Sequence, residues 1–438
     1  MADLSVDFCG IKSPNPFWLA SAPPTNSGEQ VMRAFDAGWG GAVWKTLGNP
    51  IVNVSSRFGG IDYGNTRLAG LNNIELITDR PLEANLREMR QVKTRYPGHA
   101  LIASLMVETQ AEWREIITKA QDAGADGLEL NFGCPHGMCE RGMGSAVGNE
   151  PRVLEEIARW AVDFASVPVI VKLTPNVGDI TEPGAAVVRS GAHAISLINT
   201  VKSLMGVDLE RMVPLPRVGD ASTNGGYCGP AVKPIALHLL SELARHPQCG
   251  RLPISGIGGI SNWRDAAEFI ALGSTTVQVC TAVMHYGFRI IEDLCDGLSN
   301  WMDSKGFASI ADLRGKSVSR ISDFKDFDLS FRAVARIDEA RCIKCNLCYV
   351  ACTDTAHQCI DLVAAGSERP QPKVREQDCV GCRLCYNVCP VENCISMIEL
   401  PPERASVTWD ELSKTRPEVT NDWDAMKKYR AEKGIEIH

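Results

Sequence analysis

A chain of 438 residues is too long for one small domain and long enough for a large barrel plus a smaller appendage. Its net charge of -8 offers no attraction to nucleic acid or to an anionic membrane surface, and no basic stripe reverses that. It contains no run of about 18 apolar residues that would suggest a membrane span. The N-terminus, MADLSVDFCGIKSPNPF, lacks the charged and apolar regions of a secretory signal, so a cytoplasmic location is expected.

Short apolar runs alternate with helical patterns through the first long region. Residues 17–21 read as a strand followed by an amphipathic stretch to Ala37. Residues 42–46 read as the next strand, followed by a long polar connection and a helix from Pro81 to about Tyr96. Residues 101–106 lead to a helix ending at Gly124, and residues 128–131 to a helix over 151–164. Residues 169–174 lead to a helix ending at Ser190. Residues 194–200 are followed by a long loop, 201–230, and a helix over 232–245. The last two strands begin at Pro253 and Thr275, each with a helix behind it. About eight such units over roughly 300 residues have the size and rhythm of an α/β (β/α)8 TIM barrel. A doubly wound open sheet is the alternative, but its usual early G-x-G-x-x-G turn is missing.

As a barrel, the chain puts its polar punctuation on one face. Lys45-Thr46, Asn131, Lys172, Asn199-Thr200, Gly258-Gly259 and Cys280-Thr281 all fall at or just past strand C-terminal ends, where barrel active sites are built. The loop 131–148, NFGCPHGMCERGMGSAVG, follows one such strand and carries Cys134, with Cys139 five residues on. Its glycines and methionines suggest a mobile cover over a thiol. A cysteine thiol ordinarily titrates near 8.5, so such a group holds a proton to donate at neutral pH.

The glycines of SGIGG, 255–259, and the end of the eighth strand form the usual phosphate corner of such barrels. Lys172 on an interior strand would supply positive charge to a ring whose reduced form is negative at N1. With no dinucleotide fingerprint present, FMN is expected rather than bound NAD or FAD.

Seventeen cysteines would be many for a cytosolic chain if they were spread evenly, but about half cluster near the C-terminus. Cys342, Cys345, Cys348 and Cys352 form one C-x2-C-x2-C-x3-C run. Cys379, Cys382, Cys385 and Cys389 form a second, closed by Pro390. Two such runs predict a ferredoxin-like α+β domain with two [4Fe-4S] clusters, each taking three cysteines from one run and the fourth from the other. One cluster takes Cys342, Cys345, Cys348 and Cys389; the other takes Cys379, Cys382, Cys385 and Cys352. Thr353 stands where proline is common, so the first run's exit turn is expected to differ. Cys359 and Cys394 read as small buried residues. The expected organisation is a barrel over 1–310, a connector over 311–335, the cluster domain over 336–400 and an extension over 401–438.

The segments NPFWLASAPP, WKT, LNNIELI, LNFGCPHGMCERGMG, VKLTPNVGD, INTVKSLMG, SGIGGI and VQVC, with the cysteine runs, occur in an order that resembles the dihydroorotate dehydrogenase family. The resemblance is stronger to the FMN and iron-sulfur portion of the dihydropyrimidine dehydrogenases. It implies reduction of uracil or thymine to the 5,6-dihydropyrimidine, with Cys134 as general acid. Around the pyrimidine it implies Asn73, Asn131, Asn199 and Thr200. Around FMN it implies Ala20, Ser21, Lys45, Thr46, Lys172, Gly229, Ile257, Gly258, Gly259, Cys280 and Thr281. Gly133 departs from the serine usual at that place. The nucleotide-binding domains of the long animal enzymes do not precede this barrel. The resemblance is therefore to a bacterial subunit that works with a separate FAD- and NAD(P)-binding partner. The rival readings are dihydroorotate oxidation and a catalytically idle electron-transfer subunit.

Overall fold

Eight apolar runs become eight parallel strands: β1 (Phe17–Leu19), β2 (Gly41–Leu47), β3 (Ala100–Leu105), β4 (Gly127–Asn131), β5 (Val169–Lys172), β6 (Ala194–Leu197), β7 (Ile254–Ile257) and β8 (Ser274–Val279). They pair in chain order. The contact of β8 with β1, Val277 opposite Phe17 and Val279 opposite Leu19, closes the barrel. Every residue of β2 and β3 is buried, as expected for strands covered on both faces, which have no reason to alternate polar and apolar side chains. The computed structural model describes residues 2–49, 52–63, 66–135, 142–355, 357–364, 369–401 and 406–432. Cys139 lies outside the described residues.

Helices α1 (Gly28–Ala37), α2 (Leu82–Arg95), α3 (Gln110–Asp122), α4 (Pro151–Phe164), α5 (Thr181–Ser190), α6 (Lys233–Arg245), α7 (Trp263–Ala271) and α8 (Ile290–Lys305) each follow their strand. Their starts are written in the sequence. Thr109 and Glu112 form a reciprocal capping box on α3, and Asn262 and Asp265 form one on α7. Val31, Ala34 and Phe35 on α1 sit at the helical spacing that turns one face to the core.

Two features differ from the sequence reading. A hairpin, Val6–Phe8 with Ile11–Ser13, packs Phe8 and Ile11 with Trp18, Ile102 and Ile170 at the N-terminal ends of the strands. The long polar connection and the long loop 201–230 are not irregular throughout. Phe58–Tyr63, Thr66–Asn73, Gly225–Cys228 and Val201–Ser203 form one antiparallel four-stranded sheet. Its segments are short and glycine-rich for a packing reason. A Cβ on Gly70 would lie 1.8 Å from the Tyr227 hydroxyl, so that ring requires bare backbone beneath it.

The chain divides into two compact units, Met1–Arg320 and Ile321–His438. In the second, Ala333–Ile337 pairs antiparallel with Ile395–Glu399, and Ile360–Val363 pairs with Gln371–Val374. Six of the ten residues in its core are cysteines, Cys348, Cys352, Cys359, Cys379, Cys385 and Cys394, so little hydrocarbon holds it together. No described helix is long and apolar enough to cross a membrane.

Phe8 is fully buried and meets Trp18 edge to face at 5.4 Å. Phe8→Ala is expected to cost about 3–5 kcal/mol and to lower the barrel's calorimetric melting temperature. The melting of the cysteine unit should be unchanged.

Candidate active site and cluster cavities

All sixteen sequence-derived catalytic, substrate and flavin residues line one cleft at the C-terminal mouth of the barrel, with a volume of roughly 1130 Å3 counted to its open side. The inner ends of β2 and β5 bring two lysines into its wall, Lys45 and Lys172, and both are nearly buried. Lys45 Nζ lies 3.0 Å from Glu75 Oε1, which also takes Arg57 at 2.9 Å; Arg57 in turn stands 4.0 Å from Asp79. Lys172 Nζ lies 3.5 Å from Glu129 Oε1, and Glu129 is wholly buried. The two ammonium groups that line the cleft are therefore each matched by a carboxylate, without which burial would be strongly unfavourable.

Between the lysines runs a chain of neutral groups. Asn199 Nδ2 donates to Asn131 Oδ1 at 2.9 Å, and Asn131 Nδ2 donates to Thr46 Oγ1 at 3.0 Å. That hydroxyl meets Ser104 at 2.9 Å and Ser21 at 3.1 Å. Asn73 Nδ2 donates to the Gly226 carbonyl at 3.2 Å, and the Thr200 amide donates to Asn199 Oδ1 at 2.8 Å. The asparagines are thus held in one orientation before any ligand arrives. Cys134 is buried beside Ile77, Met106 and Met143, and its carbonyl accepts the Ser145 amide at 2.9 Å. Gly133 leaves room for its neighbour: a Cβ there would lie 2.4 Å from Asn199 Cβ.

The opposite corner is backbone. Gly258 and Gly259 have φ of 132° and 76°, and a Cβ on Gly259 would sit 2.9 Å from both the Gly229 carbonyl and the Lys233 amide nitrogen. Side chains there would fill the space a phosphate needs, so these glycines fit an anion cradle. Cys280 and Thr281, where β8 turns into a short helix, complete the corner. Burial pushes the Cys280 thiol well up, which keeps it a neutral packing group. Gln278, almost fully buried in the cleft wall, has no donor for its Oε1 among the described residues. A flat ring bearing an N–H, as a flavin does, fits that orphaned acceptor.

In the second unit the cysteines sort themselves across the two runs. One cavity of roughly 300 Å3 is lined by Cys342, Cys345, Cys348 and Cys389, with Cys394 beside them. A second, of roughly 350 Å3, is lined by Cys379, Cys382, Cys385 and Cys352, with Cys359 beside them. Both loops repeat one backbone pattern, with φ of 55° and 63° at Lys344 and Asn346 and of 70° and 66° at Gly381 and Arg383. That curl wraps the chain around its sulfurs. The Lys344 amide reaches Cys342 Sγ at 3.4 Å, and the Ala335 amide reaches Cys379 Sγ at 3.5 Å. Among the described residues no three ligands converge as they would on a single zinc ion. Five thiols line each cavity, four of them from the two runs, a thiol-rich donor set that suits a [4Fe-4S] cube. The first run's exit does differ: its helix continues through Thr353 to Thr355, whereas the second stops at Val388 before Pro390.

Glu75, Glu129, Gln278 and Tyr227 were not singled out from sequence. Glu129 had a legible signal, being a carboxylate two residues before Asn131 on the same face of an otherwise apolar strand. Glu75 lies two residues after Asn73 within LNNIELI. Their partnership with the lysines joins separate segments of the chain and has no local trace.

A closed parallel barrel with a phosphate corner and an acceptor for a ring N–H, joined to a two-cavity cysteine unit, defines a flavin- and iron-sulfur-dependent oxidoreductase. Residues 3–302 match the dihydroorotate dehydrogenase family, and residues 335–397 match a 4Fe-4S dicluster domain. The chain is 44% identical over 360 residues to the NAD-dependent dihydropyrimidine dehydrogenase subunit PreA of Escherichia coli K12, covering 82% of this chain and 87% of that one. It is 43% identical over 336 residues to the chloroplastic dihydropyrimidine dehydrogenase (NADP(+)) of Arabidopsis thaliana, covering 74% and 79%. To the catalytic subunit of dihydroorotate dehydrogenase B (NAD(+)) of Pyrococcus horikoshii it is 35% identical over 316 residues, covering 71% and 97%. The chain belongs to the dihydroorotate dehydrogenase family. Its cofactors are FMN and [4Fe-4S] clusters.

The cross-run sorting is testable. Removing Cys352 together with Cys359, whose sulfurs are 3.6 Å apart, should empty the cavity of the second run and leave the first filled. Cys352→Ala/Cys359→Ala is therefore expected to keep half the wild-type iron and one cluster's EPR signal. Retention of all the iron would contradict the assignment.

Proposed function

We propose that the chain reduces the 5,6 double bond of uracil or thymine in pyrimidine catabolism. In this reading Asn73, Asn131, Asn199 and Thr200 hold the ring, and Cys134 is its general acid. The sixteen cleft residues keep the roles given above, and electrons come from a separate subunit that binds FAD and oxidises NADH or NADPH. The observation that carries this reading is charge. Among the described residues, Lys45 and Lys172 are the basic side chains lining the cleft, and both already face carboxylates. What remains for a substrate is amide and hydroxyl, which suits the neutral carbonyl and N–H edges of uracil. A ring bearing a carboxylate, such as orotate, would meet no uncommitted cation among the described residues.

When bound, reduced FMN supplies a hydride to C6, and the clusters supply single electrons for its re-reduction. The chain's own residues do the rest. The Asn199–Asn131–Thr46 chain fixes which amide face is donor and which acceptor, so the ring enters in one orientation. Cys134 Sγ gives its proton to C5, completing the addition across the double bond, and the resulting thiolate is reprotonated from solvent. Burial of Cys134 among Ile77, Met106 and Met143 keeps competing water away from the thiol. The arrangement of a barrel over 1–310, a connector over 311–335, a cluster domain over 336–400 and a C-terminal extension belongs to the same proposal.

Cys134→Ala, loaded with FMN and iron, is expected to lose about 10²–10⁴-fold in dihydrouracil formation while still binding uracil. Turnover near wild type would exclude the general-acid role. Glu75→Gln should leave Lys45 uncompensated and raise orotate affinity roughly 10–100-fold relative to uracil, measured by competition.

A further inference from the structure

Glu129 is a carboxylate sealed inside the barrel below the cleft. On Oε2 it accepts from Ser196 Oγ and from Gln278 Nε2, both at 2.9 Å. The same Gln278 amide reaches Ser255 Oγ at 3.1 Å, and Thr276 Oγ1 meets that serine at 2.8 Å. Two neutral donors, one from β6 and one from β8, thus clamp one oxygen, and Ser255 on β7 holds the Gln278 amide in place. Among the described residues the other oxygen, Oε1, has no hydrogen-bond donor, and Lys172 Nζ stands 3.5 Å from it.

That distance is informative. A closed charge-assisted N–H···O bond lies at about 2.7–2.9 Å, so Lys172 is held near Glu129 but not bonded to it. A flexible ammonium in that position is shared. It can close on the carboxylate below or lean toward a ligand in the cleft it lines, and Glu129 cannot follow because its other oxygen is clamped. A fixed negative charge behind a mobile positive one sets how much of that positive charge reaches the cleft.

We propose that Glu129 is a positioning residue that, through Lys172, sets the reduction potential of the flavin. This rests on the reading above that Lys172 faces the FMN ring. With Glu129 ionised, the local charge of the pair is zero, and an anionic reduced flavin gains only a partial field from Lys172. Without it, a full positive charge stands against the ring, and the reduced form is favoured. The buried carboxylate therefore holds the potential low, which makes the reduced flavin a stronger donor to a poorly electrophilic uncharged pyrimidine. The Lys45–Glu75 pair, the other charged pair of the cleft, leaves Lys45 a closed 3.0 Å contact and no such freedom.

The test uses the FMN- and iron-loaded chain and reads the flavin midpoint potential by spectroelectrochemistry, with sulfite-adduct affinity as a second readout. Glu129→Gln keeps the shape and removes the charge. It is expected to shift the flavin equilibrium toward the reduced form at least tenfold, about 30 mV for a two-electron couple, and to tighten sulfite binding in proportion. Lys172→Met should shift the potential the opposite way, and adding E129Q to K172M, which restores a local charge of zero, should bring it back toward the wild-type value. If E129Q fails to retain FMN, Glu129→Asp keeps the charge but withdraws it by one methylene, and a smaller shift in the same direction is expected. An E129Q or E129D potential at the wild-type value beside a shifted K172M potential overturns the proposal alone. A K172M potential at the wild-type value overturns the placement of Lys172 against the ring.

Discussion

Two ammonium groups buried at one end of a barrel are tolerable only because each faces a carboxylate, and the rest of the site is arranged around those pairs. A lone charge at either position would carry a desolvation penalty of several kcal/mol. Pairing removes most of that penalty and, as a consequence, lowers the net positive charge that either lysine presents to the cleft. The cleft is left with neutral amides and hydroxyls facing the open space, and backbone glycines at the phosphate corner. The chemistry of the substrate follows from this balance more than from any single contact.

The two pairs are not equivalent. Lys45 and Glu75 are in contact and tied outward to Arg57 and, through it, Asp79. Lys172 and Glu129 are separated by a further half ångström, and the carboxylate is pinned from behind. One pair fixes the charge of the wall; the other adjusts it. The cysteine unit shows a related economy. Its core is mostly thiol; four of its six core cysteines, Cys348, Cys352, Cys379 and Cys385, belong to the two C-x2-C-x2-C-x3-C runs, and metal loading is expected to be part of its folding.

Much of this was legible in the sequence, for identifiable reasons. Parallel strands buried on both faces appear as apolar runs, and a barrel puts their polar terminators on one rim. Lys45, Asn131, Lys172, Asn199 and Cys280 could therefore be grouped before any coordinates. The two-run cysteine signature gave the same grouping that the cavities show, three cysteines of one run with the last of the other. The four-stranded sheet over 58–73 and 201–228 was not legible, because close backbone approach at Gly70, Gly225 and Gly226 replaces the alternating side chains that mark a strand. Glu75 and Glu129 escaped as partners of the lysines because an ion pair between separate segments leaves no pattern along the chain. Gly133, a departure from the usual serine, makes sense once Asn199 is seen in the space a side chain would take.

The central claim is that the cleft is built for an uncharged pyrimidine ring. The purified chain, loaded with FMN and iron and reduced anaerobically, should have its flavin reoxidised on adding uracil or thymine and not on adding orotate. Rapid reoxidation by orotate with none by uracil or thymine would contradict the account.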